Sequence, residues 1–177
     1  MFEEYAKIAL AVDTCKGKID GRKKLQKMIY IAKILGYPFR ENYTLYWYGP
    51  YSHQLAAELK RMGELDIIFE SKPDSSYIIE LTESGKIFLN NFRPMITEEM
   101  GSERLSEMIG LFEKLDRHNS FRLELLATLF YFYEVEHRDF DTLKEVVKII
   151  KPKFIDKDIR EMARFMQIFI KKYSTNK

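Results

Sequence analysis

Cys15 is the only cysteine in this chain of 177 residues. Its isolation excludes an intrachain disulfide and any thiolate metal cluster, and it fits a reducing compartment. Histidine is nearly as scarce. His53, His118 and His137 stand apart, and none has a second ligand at metal spacing. No apolar run approaches the roughly 18 residues that a membrane span requires. The opening FEEYAKIALAV carries Glu3 and Glu4 where a secretory leader has basic residues. A soluble, cytoplasmic protein without membrane association is expected. A glycine-rich phosphate loop and a nucleophile elbow are also missing. Asp139 and Asp141 in HRDFD precede a helical stretch and suit capping better than catalysis. The expectation is therefore a non-enzyme without cofactor or metal. A large charge of one sign is lacking too. The net is only +2, so partners must be sought in local charge.

What is present is globular. Apolar residues make up 46% and charged residues 32%, enough for a real core in one domain or two small ones. Residues 2–14 repeat Ile8, Ala11 and Val12 at helical spacing. Residues 22–35 place Leu25, Met28, Ile29, Ala32 and Leu35 on one face, stopped by Gly36 and Pro38. YTLYWY at 43–48 is β-favouring, and Gly49-Pro50 reads as the turn after it. A helix then runs to about Met62, capped by Ser52 or Gly49 and ended by Gly63. DIIFES (66–71) and YIIEL (77–81) read as strands joined by a KPDSS tip. Thr82 suits the N-cap of a helix from about Glu83 to Asn91, and Pro94 marks a boundary. The rest reads as helices at about 102–117, 121–136, 139–151 and 156–173, with Pro152 breaking the last two apart and Asp156 capping the final one.

This order predicts a mainly α chain with a small antiparallel sheet: a winged-helix-like domain at 1–95 and an α-helical bundle at 96–177. One feature departs from a simple helix-turn-helix, whose turn spans about 3–4 residues. Here Gly36 to Gly49, with a strand, lie between the scaffold helix and the reading helix.

Two surfaces could carry function. On the helix at 51–62, Leu55, Leu59 and Met62 form the core face, while His53, Gln54, Ala57, Lys60 and Arg61 lie opposite. Arg and Lys can donate to guanine, and Gln can pair with adenine. An ordinary solvated face has the same composition, and Glu58 and Glu64 lie nearby. The second surface is CKGKIDGRKKLQK and its continuation. From Lys16 to Lys33 seven basic residues (Lys16, Lys18, Arg22, Lys23, Lys24, Lys27, Lys33) meet one acid, Asp20. That is a local +6, so the rest of the chain is net acidic. Such a cluster could hold phosphates or merely start a solvated helix. Tyr30 and Ile34 lie opposite the core stripe and should pack on another element. The strand pair after the helix carries Lys72 but also Glu70, Asp74 and Glu80, a poor wing for DNA. LELLATLFYFYEV is apolar on most sides, which suits either the centre of a helical bundle or a homodimer interface.

GRKKLQKMIYIAKILGYPF followed by YWYGPYSHQLAAEL resembles the YwgA-like family of uncharacterised bacterial proteins. It is more distantly similar to the antitoxin-associated Panacea domain. The carriers are Gly21, Arg22, Lys24, Leu25, Gln26, Lys27 and Tyr30, then Tyr48, Gly49, Pro50, Tyr51 and Ser52, with Leu81, Thr82 and Gly85 beyond. The resemblance implies a winged-helix-like domain with a helical extension and lends no catalytic residue. The function expected is a non-enzymatic winged-helix regulator of transcription that binds duplex DNA. His53, Gln54, Lys60 and Arg61 would face the groove, and Lys16, Lys18, Arg22, Lys23, Lys24 and Lys27 would hold phosphates. The alternative is a protein-interaction or antitoxin-like module that binds a partner protein through the winged helix and the helical half.

Overall fold

The first two helices carry more apolar residues than one face can hold, and both are consequently enclosed. α1 (Phe2–Thr14) is buried without interruption from Glu4 to Val12, and α2 (Arg22–Ile34) from Lys24 to Ala32. A helix apolar on every side needs neighbours on every side. α2 packs against α6 (Ser120–Glu134), α5 (Ser102–Asp116) and β3 (Gly49–Tyr51), and Tyr30 meets Tyr43 with ring centroids 4.9 Å apart. The computed structural model describes residues 1–73, 77–137 and 139–174. Among these it is mainly helical, with eight helices and a small amount of antiparallel sheet, and no helix is long and apolar enough to cross a membrane.

Between α1 and α2 lies β1 (Lys18–Ile19), reached through Lys16 and Gly17, both at positive φ. Sequence patterning misses this strand because two residues show no alternation. β1 pairs with β5 (Ile78–Leu81), which also pairs with β4 (Ile68–Ser71), giving a three-stranded antiparallel sheet ordered β1-β5-β4. Residues 74–76 of the tip between β4 and β5, Asp74 among them, lie outside the described residues.

β2 (Thr44–Tyr46) and β3 form a separate hairpin. The turn expected at Gly49-Pro50 falls instead at Trp47 and Tyr48. Gly49 pairs with Tyr46 and Pro50 with Leu45 inside β3. Proline is tolerated there because the hairpin has only two strands and no ladder partner beyond β3 needs its missing N–H.

α3 (His53–Glu64) starts where expected, with Ser52 Oγ accepting from the Leu55 N–H at 3.0 Å. It runs through Gly63. The chain is turned instead at Asp66, which has φ +56°. α4 (Glu83–Met100) is capped by Thr82, whose Oγ1 accepts from the Gly85 N–H at 2.8 Å. It continues well past Asn91. Pro94 lies inside it with Asn90 and Pro94 both exposed, so the carbonyl that loses its N–H partner faces water. The division expected at 95/96 therefore falls within a continuous helix, and the buried residues of both halves form one cluster. α7 (Phe140–Ile150) is capped by Asp139, which accepts from the Asp141 and Thr142 N–H groups. α8 (Asp156–Tyr173) begins at Asp156, but Ile155 occupies its cap position, so the capping role expected for Asp156 is not filled. α6 is buried from Leu123 to Phe130 and touches α2, α7, α8 and β3.

Candidate functional site

The basic cluster of residues 16–33 does not form one surface. A helix turns about 100° per residue, so its lysines leave α2 in several directions. Lys24 is buried, and its Nζ donates to the Asp116 carbonyl at 2.7 Å and to Asp116 Oδ1 at 2.6 Å, tying α2 to the end of α5. Lys27 is 2% exposed and donates to the Pro50 carbonyl at 2.6 Å. Both are internal struts, not the surface cations expected. Arg22 forks onto the Glu70 carboxylate of β4, and its Nε donates to Oε1 at 2.7 Å. Lys18 lies 3.7 Å from Glu80 on β5. The acids that make the sheet a poor DNA wing thus neutralise two of the cluster's cations. Lys16 and Lys23 remain exposed, with Lys23 Nζ 3.7 Å from the centre of the Tyr48 ring.

The outer face of α3 stays open. His53, Gln54, Ala57, Lys60 and Arg61 are all exposed, and Leu55, Leu59 and Met62 form the buried face as the spacing predicts. Gln54 donates to Glu58 at 3.0 Å, Lys60 lies 3.9 Å from Glu64, and Arg61 has no ion-pair partner among the described residues. His53 Nε2 sits 3.0 Å from Tyr46 Oη, which joins the start of this face to the hairpin.

The hairpin is held from within. Gln26 Nε2 donates to the Ser52 carbonyl at 2.8 Å, while Gln26 Oε1 accepts from the Ser52 N–H at 2.9 Å. Gly49, at φ +81°, lies so close to α6 that a Cβ there would stand 3.0 Å from Thr128 Oγ1. What the hairpin presents is aromatic. Trp47 is 89% exposed, and Tyr46 and Tyr48 are also exposed. These rings are surface, not the core that burial of both strand faces would have made them. Around them stand lysines from a distant part of the chain. Lys151 Nζ donates to the Trp47 carbonyl and pairs with Glu124 Oε1 at 3.1 Å. Lys153 pairs with Glu124 Oε2 at 2.8 Å and lies 5.5 Å from the Tyr48 and Phe121 ring centres. Burial pushes the Lys27 ammonium down to about 8. Lys151 and Lys23 add to this, and Glu124 opposes it.

A protein of Bacillus subtilis (strain 168), "Uncharacterized protein YwgA", is 36% identical to this chain over 157 residues, which is 86% of this chain and 87% of its own length. The chain belongs to the YwgA family. A scan against protein-family models matches none.

Four of the residues that carry the YwgA resemblance clamp the hairpin to α2: Gln26 to Ser52, and Lys27 to Pro50. Sequence reasoning missed Glu124, Lys151 and Lys153, which lie far along the chain from the hairpin, Lys151 being 104 residues beyond Trp47. The only local signal was KPKF, a pair of lysines flanking a helix-breaking proline. It also missed Glu41. This residue is 0% exposed with neither carboxyl oxygen hydrogen-bonded among the described residues, and burial raises its carboxyl to about 7.

Proposed function

We propose that this YwgA-family chain is a non-enzymatic DNA-binding regulator whose N-terminal half is a winged helix. In this reading α3 meets the groove of duplex DNA. The order α1-β1-α2-α3-β4-β5-α4, with β1 joined to the β4–β5 hairpin, supports it, and the β2–β3 hairpin is then an insertion ahead of the reading helix. The carrying observation is the outer face of α3. Gln54, Lys60 and Arg61 are exposed around the small Ala57 and take no part in the core. Donors of these kinds suit base edges in the major groove, and Ala57 leaves room for a thymine methyl. Lys23 and Lys16 are the exposed cations of the basic cluster without an ion-pair partner among the described residues, and they would meet phosphates.

The test is a mobility-shift titration with duplex DNA at about 50 and 200 mM salt. Binding should weaken steeply with salt. Lys60→Glu with Arg61→Glu should lower affinity and relax sequence preference, while Lys16→Ala with Lys23→Ala should reduce the log–log salt slope by about 2, near 0.9 for each lost phosphate contact. No shift at the lower salt, or a shift without a salt slope, sinks the proposal.

A second reading rests on a different observation. Trp47 is 89% exposed and Ile149 is 78% exposed, with Ile150 and Ile155 beside it in sequence, and exposed apolar groups of this size suit a protein partner. This is the antitoxin-like or interaction module, or a homodimer through the helical half. Stable co-purification with a protein, or a doubled mass by light scattering, together with no DNA response to the α3 charge reversals, would favour it.

A further inference from the structure

A tryptophan is a costly side chain to leave in water, and the chain's single one is displayed by a rigid mount. Its carbonyl is held by Lys151, that of Pro50 three residues on by Lys27, and Gly49 is wedged against Thr128 of α6. Such a ring is presented, not left over.

Its surroundings are cationic. Lys23, Lys27, Lys151 and Lys153 converge on one carboxylate, Glu124, which pairs with the last two. Lys27 makes a single hydrogen bond, to Pro50, although an ammonium has three donors, and it lines the hollows on both sides of Tyr48. Four ammonium groups for one carboxylate, half-enclosed by aromatic rings, call for an anion.

The surface is concave beside the ring. One hollow of about 380 Å³ is bounded by Lys23, Lys27, Tyr46, Trp47 and His53, and a second of about 420 Å³ by Trp47, Ile150, Lys151 and Lys153. Trp47 and Tyr48 line both. A flat exposed ring stacks on any nucleobase, and lysines serve as point-charge partners for phosphate.

We propose that the hairpin tip is a binding site for a nucleoside phosphate, with the base on the Trp47 indole and the phosphate on Lys23 and Lys153. The same chemistry is offered by a free nucleotide and by one unit of a single strand. The site shares Lys23 and His53 with the duplex reading but not Lys60 and Arg61, so charge reversal at Lys60 and Arg61 separates the two.

Trp47 reports on it directly. Its fluorescence in the intact protein is titrated at about 50 mM salt with a twelve-residue oligothymidylate and, separately, with thymidine 5′-monophosphate. Saturable quenching is expected. Lys23→Glu with Lys153→Glu, both at exposed positions, should weaken it at least tenfold, and Lys60→Glu with Arg61→Glu should leave it unchanged. Trp47→Ala, followed by anisotropy of a labelled oligonucleotide, should lose about tenfold in affinity, as expected for one stacked base. Quenching by the mononucleotide at similar concentration assigns a free nucleotide, and quenching by the oligomer alone assigns a single strand. No quenching by either, or quenching indifferent to the Lys23 and Lys153 reversals, overturns the proposal.

Discussion

Glu41→Gln should stabilise this protein, and by an amount that grows with pH. Glu41 lies in the segment that links α2 to β2; its side chain is fully buried, and neither of its oxygens has a hydrogen-bond partner among the described residues. Burial is the main cause that raises its carboxyl from 4.5 to about 7. Glu58 and Glu4 add to the rise, and the pull of Glu41's own backbone N–H, which falls short of hydrogen-bond geometry, and of Lys33 opposes it. The folded state therefore keeps a proton that the unfolded chain releases. Below about pH 4.5 both states are protonated and Glu41 costs little. Between about 4.5 and 7 the unfolded state alone ionises, so stability falls by about 1.4 kcal/mol per pH unit. Above about 7 the loss is complete, on the order of 3 kcal/mol. Glutamine is nearly isosteric and cannot ionise, so the variant escapes this loss. Urea unfolding followed by far-ultraviolet circular dichroism, at several pH values from 4.5 to 8, measures the difference. The gap between variant and parent should open through that window and then level off. A gap that stays constant across it would refute the reasoning, because Glu41 would then titrate alike in both states.

Two further outcomes follow from the packing. Gly85→Ala should destabilise by about 2–4 kcal/mol despite alanine's better helix propensity, because its Cβ would lie 2.0 Å from the Ile67 carbonyl oxygen and disturb the Thr82 cap; a urea midpoint equal to or above the parent's would contradict this close approach. Cys15 is buried, and desolvation, helped by Asp116, pushes its thiol up to about 12, so a thiol reagent at about pH 8 should label it only as the protein unfolds, and rapid labelling of the native state would place the thiol nearer solvent than the fold allows.

Much of the fold was legible where one physical signal dominated. The long 3.6-residue stripes of the second half gave helix ends within a residue or two, and Ser52, Thr82 and Asp139 cap the helices that follow them. The failures share a cause, which is tertiary context. Gly49-Pro50 has turn chemistry, but Gly49's positive φ serves its approach to Thr128 while the reversal happens at Trp47-Tyr48. Pro94 ends helices in general, yet its exposed position lets α4 continue. Most telling is the charge cluster. A run of lysines counted along the chain looks like a surface, but Lys24 and Lys27 point inward because α2 is enclosed by α5, α6 and β3. The lysines that do frame the exposed aromatics, Lys151 and Lys153, are brought there only by the packing of α6 and the α7–α8 linker.

The clamp between α2 and the hairpin explains why the two most recognisable sequence blocks belong together. The carboxamide of Gln26 can both donate and accept, and its NH2 and oxygen meet the carbonyl and N–H of a single residue, Ser52, much as a neighbouring strand would. Glutamate could accept but not donate, and lysine could donate but not accept. Ser52, fixed in this way, caps α3 and so sets where His53 and the rest of the outer face begin. One step along α2, Lys27 takes the carbonyl of Pro50, and Lys151 takes that of Trp47. These buried polar residues have a positioning role. They fix the position of two exposed groups, the outer face of α3 and the indole of Trp47, relative to α2. The Tyr46–His53 contact joins those groups into one surface. A ligand that engaged both would meet them at a spacing set by Gln26 and Lys27.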